Sequence, residues 1–94
     1  MSRPDHYMRP GTTQSAAPNA GSAAFTNPFD SRFIEVLSPN ALVFVTFAAA
    51  APTASATSYP VAAGIPTIID TGEGLKYGAV YASGSATVYA TPMK

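Results

Sequence analysis

The sequence predicts an all-β fold: a small antiparallel β-sandwich or barrel, jelly-roll-like, entered through an extended N-terminal arm. Three observations carry this expectation. From Phe33 onward, runs rich in Val, Ile, Phe, Tyr and Thr recur at intervals of about ten residues. Clusters of Pro, Gly, Asn and Ser separate them. Before Phe25 the chain is mostly Pro, Gly, Ser, Thr, Ala, Asn and Gln, with Tyr7 and Met8 as the large apolar side chains after Met1. Residues 1–32 therefore read as arm and joint, and residues 33–94 as one sandwich domain.

In residues 1–24, Pro4, Pro10 and Pro18 prevent a continuous helix, and no hydrophobic period is present. The expected state is a disordered or extended segment, which at 24 residues reaches up to roughly 80 Å when stretched. Phe25–Phe33 is the joint. Asn27 before Pro28 has the pattern of a helix N-cap followed by proline at the first helical position, which predicts one helical turn through Arg32. Phe25 and Phe29 either close the bottom of the domain's own core or plug pockets on a neighbouring subunit.

Phe33–Leu37 (FIEVL) is the first strand, ended by the turn Ser38-Pro39-Asn40. Leu42–Ala48 (LVFVTFA) is the strongest strand; β-branched and aromatic content favours a pleated surface there over a helix. Ala49–Ser58 is a loop of small residues. Tyr59–Gly64 leads into a strand over Ile65–Asp70, where Pro66 demands an edge or a strand start. Thr71-Gly72-Glu73-Gly74 is a second turn. The closing element reads as a hairpin, Tyr77–Ala82 and Ala86–Thr91 around Ser83-Gly84-Ser85. In that register Val80 faces Thr87 and Tyr89 covers Gly78, an aromatic over a strand glycine being a known register pin.

Composition narrows the function classes. The chain has 94 residues, 47% of them hydrophobic, much of that alanine. A domain of about 60 ordered residues buries only roughly 60% of its unfolded surface, and such scaffolds usually need a disulfide, a metal or an oligomer. Cysteine is absent and His6 is the lone histidine, so self-association or docking on a protein partner is the expected support. Five basic against five acidic residues leave no basic patch for phosphates, which argues against a nucleic-acid partner. The N-terminus lacks the apolar run of a signal peptide. The longest apolar stretch, Ala41–Ala51, is about half of what a membrane-spanning helix needs, so no membrane partner is expected.

Candidate chemistry is sparse. Ile68-Ile69-Asp70-Thr71-Gly72 resembles the active-site loop of aspartic proteases, where two such aspartates share a proton. The resemblance ends with these residues, and Asp-Thr-Gly after a strand is also an ordinary turn. No cofactor, metal or catalytic residue is expected, and the chain reads as a non-enzyme. Tyr59, Tyr77, Tyr81 and Tyr89 are candidates for a sugar-stacking platform or for packing.

From Leu42 on, the chain resembles small proteins encoded in the structural gene clusters of tailed bacteriophages. The resemblance is carried by Tyr59-Pro60-Val61-Ala62-Ala63-Gly64, by Ile68-Ile69-Asp70-Thr71-Gly72, and by Val80-Tyr81-Ala82-Ser83-Gly84-Ser85-Ala86-Thr87-Val88-Tyr89. It implies a structural virion protein: a decoration (cement) protein on the head surface, made in the host cytoplasm. Such a protein would be a homotrimer bound through its arm to the major capsid protein or another virion protein. The expected interface residues are Tyr7, Phe25, Phe29, Val80, Thr87 and Tyr89. The alternative it implies is a neck, tail or fibre module with a tyrosine-lined, carbohydrate-recognising surface.

Overall fold

Alternation of apolar and polar side chains from Phe33 to Leu37 sends Ile34 and Val36 into the interior and leaves Phe33, Glu35 and Leu37 on the opposite face. The same period-two logic shapes the other strands of the computed structural model, which describes residues 9–93. In chain order they are β1 (Gln14–Ala16), β2 (Asn19–Ala24), β3 (Phe33–Leu37), β4 (Val43–Ala48), β5 (Tyr59–Val61), β6 (Thr67–Asp70), β7 (Tyr77–Ser85) and β8 (Val88–Met93). They form two four-stranded antiparallel sheets, ordered β1-β8-β3-β6 and β2-β7-β4-β5.

The order has a simple origin. β1 pairs with β8, β2 with β7, β3 with β6 and β4 with β5, as in one long hairpin ribbon doubled back at the β4–β5 loop. Wrapping that ribbon on itself brings β3 against β8 and β4 against β7, which closes the two sheets. This is the winding of an eight-stranded jelly roll. Between the sheets lie Ile34, Val36, Val43, Val45, Val61, Val80 and Val88, each 2% exposed or less.

Three expectations need correction. The closing hairpin does not form: β7 pairs with β2 and β4, whereas β8 pairs with β1 and β3 in the other sheet. Gly84 is not among the glycines at positive φ, so no tight turn forms there. β7 instead runs straight on to Ser85, which pairs with Asn19. The chain crosses between sheets at Ala86-Thr87, where the Ala86 N–H donates to Pro18 O at 3.0 Å. Glycine under an aromatic ring is a feature of the fold, but the ring is Phe47. Phe47 pairs in register with Gly78, and a Cβ on Gly78 would sit 2.6 Å from Phe47 Cε1.

Second, residues 14–24 are not an arm. They supply one edge strand to each sheet, and Ala16 is buried in the core. Their small polar side chains have little strand preference, but the open edges of β8 and β7 satisfy their backbone groups. The part of the predicted arm within residues 1–8, Tyr7 and His6 included, lies outside the described residues.

Third, the joint has no helical turn. The Gln14 side-chain amide takes the place of a neighbouring strand: its Nε2 donates to Asn27 O and its Oε1 accepts from the Asn27 N–H, both at 2.9 Å. Phe29 exchanges backbone hydrogen bonds with Lys76 at 2.7 and 2.9 Å. Phe25 and Phe29 thus point into their own core, 5% and 1% exposed. Phe29 packs edge-on to both Phe25 and Phe47, with centroids 5.6 and 5.8 Å apart.

Candidate interaction surfaces

The jelly-roll winding sends alternate connections to opposite ends of the sandwich. One end gathers residues 25–32, 49–58 and 71–76 with the segment before β1; the other gathers residues 17–18, 38–42, 62–66 and 86–87. Among the described residues, every charged side chain except Glu35 belongs to the first end: Arg9, Asp30, Arg32, Asp70, Glu73 and Lys76. The second end is free of charge.

At the charged end Arg32 grips Asp70 with two hydrogen bonds, Nε to Oδ1 at 2.9 Å and Nη2 to Oδ2 at 2.8 Å. The Gly72 N–H donates to Asp70 Oδ1 at 3.0 Å, and Gly72 itself takes a φ of 81°. The Arg32 guanidinium first, and the Gly72 N–H second, hold Asp70 down at about 2, below its usual 3.8. The Asp-Thr-Gly motif is thus a turn tied to the joint, and Thr71 adds a backbone bond to Arg32 O at 2.7 Å. Because the folded-state value is depressed, the stabilisation is present above pH 3.8 and is lost as pH falls toward 2. The melting temperature of the wild type should therefore drop across that interval, whereas Asp70→Asn should lack this component. An unchanged gap between the two proteins from about pH 5 to pH 2 would contradict the assignment.

The outer faces of the two sheets differ. Across the β2-β7-β4 sheet lies the chain's own 49–58 loop: Ala54 is 3% exposed and its N–H donates to Ser22 Oγ at 3.0 Å. Ala79, which points outward by its position on β7, is fully buried. The β1-β8-β3-β6 sheet has no such cover. Its outer face presents Tyr89 beside Leu37, Met93 beside Phe33, and Ile68 beside Glu35. Ile68 is 47% and Tyr89 40% exposed.

At the uncharged end a cleft of about 550 Å³ opens between residues 17–19, 39–41 and 85–87, with Tyr89 at its side. Its floor is held by Ser38, fully buried, whose Oγ donates to Ala41 O at 2.6 Å and whose carbonyl accepts from the Gly64 N–H at 2.7 Å. Leu42 and Ile65 stand exposed near it.

The expected interface residues divide accordingly. Phe25, Phe29 and Val80 are core, because β7 turns Val80 inward between the sheets. Thr87 and Tyr89 are exposed and lie together at the cleft. The tyrosines do not form one platform: Tyr59, Tyr77 and Tyr81 belong to one sheet and Tyr89 to the other, and Tyr81 is half-buried with its ring 6.2 Å from Phe44. Ile68, Leu37 and Asn40 were not singled out by sequence. The alternation in Phe33–Leu37 was the available signal for Leu37, and Ile68 was masked by the motif that contains it.

Among the described residues, no group of three His, Cys, Asp or Glu side chains is placed to hold a metal ion. No helix there is long and apolar enough to cross a membrane. No family model matches the sequence, and comparison with curated proteins and with solved structures found no match.

Proposed function

We propose that this protein is a structural virion component, a decoration protein of a tailed bacteriophage head, that associates with copies of itself into a homotrimer. The observation that carries this reading is the contrast between the two sheets. One is overlaid by the chain's own loop at Ala54; the other leaves Ile68, Leu37 and Met93 on an outer face where Glu35 is the charge inside the sheet. The Arg32–Asp70 pair, with Arg32 over the Phe33 ring at 5.2 Å, closes the charged-end margin of that face. Solvated faces normally carry interspersed Lys and Glu, and contiguous apolar surface marks an interaction site. A small core without disulfides gains stability when such a face is buried between subunits. The sibling contact is assigned to this face. The contact with the major capsid protein is assigned to the charged end. The resemblance of the sequence to phage structural proteins supports a virion component, and the head is the location proposed, with a neck, tail or fibre module as the alternative.

Light scattering should give three times the mass of one chain, and added protein should co-sediment with heads that lack it. Ile68→Lys places a charge where interface cores are depleted of charge. Losing one buried isoleucine is worth about 1.5–3 kcal/mol, so the trimer should weaken at least about tenfold while the melting temperature of the subunit stays close to wild type. A wild-type monomer at high concentration with no affinity for heads would overturn the reading.

A further inference from the structure

We infer that the cleft at the uncharged end is a binding site for a neutral saccharide, an activity separate from self-association. Its volume, about 550 Å³, falls within the range of small-ligand pockets. Its polar lining consists of the amides of Asn19 and Asn40, the hydroxyls of Ser85 and Thr87, and Tyr89. Each of these groups both donates and accepts, which is the pattern that adjacent sugar hydroxyls present. Most of that capacity is uncommitted. The bond from Ser85 Oγ to Asn19 Oδ1, at 3.2 Å, is the one contact among these side chains. Asn40, Thr87 and Tyr89 make no side-chain hydrogen bond to another described residue.

The charge distribution selects the ligand class. No charged side chain lies among the residues of this end, so an anionic or cationic ligand would lose hydration without gaining a counter-charge. A neutral, hydroxyl-rich ligand loses nothing of that kind. Tyr89 adds an exposed aromatic surface on which the C–H face of a sugar ring can rest. Preorganisation favours binding as well. Pro18 and Pro39 flank the cleft, the buried Ser38 fixes the turn through Ala41, and the Ala86 N–H ties the β7–β8 crossing to Pro18.

The test is a titration of the full chain with a panel of neutral oligosaccharides (gluco-, galacto- and N-acetylglucosamine disaccharides), followed by amide NMR. Saturable shifts confined to residues 17–19, 39–41 and 85–89 are expected for at least one of them. Asn40→Ala and Thr87→Ala should each weaken that binding about fivefold to tenfold with an otherwise unchanged spectrum and unchanged association of the chain. A sialylated or sulfated saccharide should bind more weakly than its neutral parent. The inference fails if no neutral sugar shifts these resonances at up to about 10 mM, or if the shifts lie elsewhere. It also fails if both variants bind like wild type. Since Ile68→Lys disrupts self-association without touching the cleft, loss of the trimer and loss of sugar binding are separable results.

Discussion

Deleting residues 1–24 is expected to abolish the folded state instead of releasing a trimmed domain. The deletion takes β1 from one sheet and β2 from the other, which strips β8 and β7 of an antiparallel partner each. It also removes the Gln14 clamp on Asn27 and the cover that Ala16 and Pro18 provide. Each lost backbone hydrogen bond is worth about 0.5–1.5 kcal/mol net, the uncovered core adds to that, and the whole stability of a domain is about 5–15 kcal/mol. Circular dichroism should show no cooperative melt, and amide resonances should collapse into the unfolded range. A chain beginning at residue 9 retains all eight strands and serves as the control. A cooperative melt from the shorter chain would mean that the two edge strands are dispensable.

The second large effect is expected at Phe29. Truncation to alanine in a ring cluster at the bottom of the core should cost about 3–5 kcal/mol. That is a fifth or more of the stability of a typical domain of about 5–15 kcal/mol. Phe29 has almost no exposed surface and contacts both Phe25 and Phe47, so little relaxation can refill the space. Urea denaturation should show the loss as a lower midpoint with a similar slope. If Phe29 were instead a plug for a neighbouring subunit, the variant would keep the stability of the isolated chain and lose association. The two outcomes cannot be confused.

Strands whose own side chains alternate were legible in the sequence. Phe33–Leu37 forms β3 with the bounds read from its pattern, β4 begins one residue later than expected, and Thr71–Gly74 turns where Asp and Gly predicted a turn. Pro66 shortens the expected strand over Ile65–Asp70 to Thr67–Asp70, since it has no N–H for the ladder. Partners were not legible. β1 and β2 carry no β-branched residue; their structure comes from edges built by residues more than fifty positions away. The Ser83-Gly84-Ser85 segment satisfies the composition of a hairpin turn, yet the extended end of one long strand, β7, has the same composition. That difference also decides Val80, which a hairpin would place beside Thr87 and which the sandwich buries.

The candidate surfaces were harder still. The uncovered face needs β3, β6 and β8 side by side, and the cleft needs three connections that are neighbours only after the ribbon is wrapped. What the sequence did hold was the charge distribution. The long uncharged interval from Val36 to Ile69 supplies two of the four connections at the uncharged end, residues 38–42 and 62–66, and sends its middle loop, residues 49–58, to the other.

The ribbon arrangement has a consequence for biosynthesis. Within the strands its outermost rung joins Gln14 to Ala90 and its innermost joins Val45 to Tyr59, so closure proceeds across ever longer stretches of chain. Folds dominated by such distant pairings are slow to form. During translation the centre of the chain can pair early, but β1 and β3 wait for β8, the last strand to be made. A nascent chain stalled before Val88 would therefore present two unfilled strand edges side by side, a template for joining other chains. Docking β8 between β1 and β3 is thus the step that both completes one sheet and removes the template.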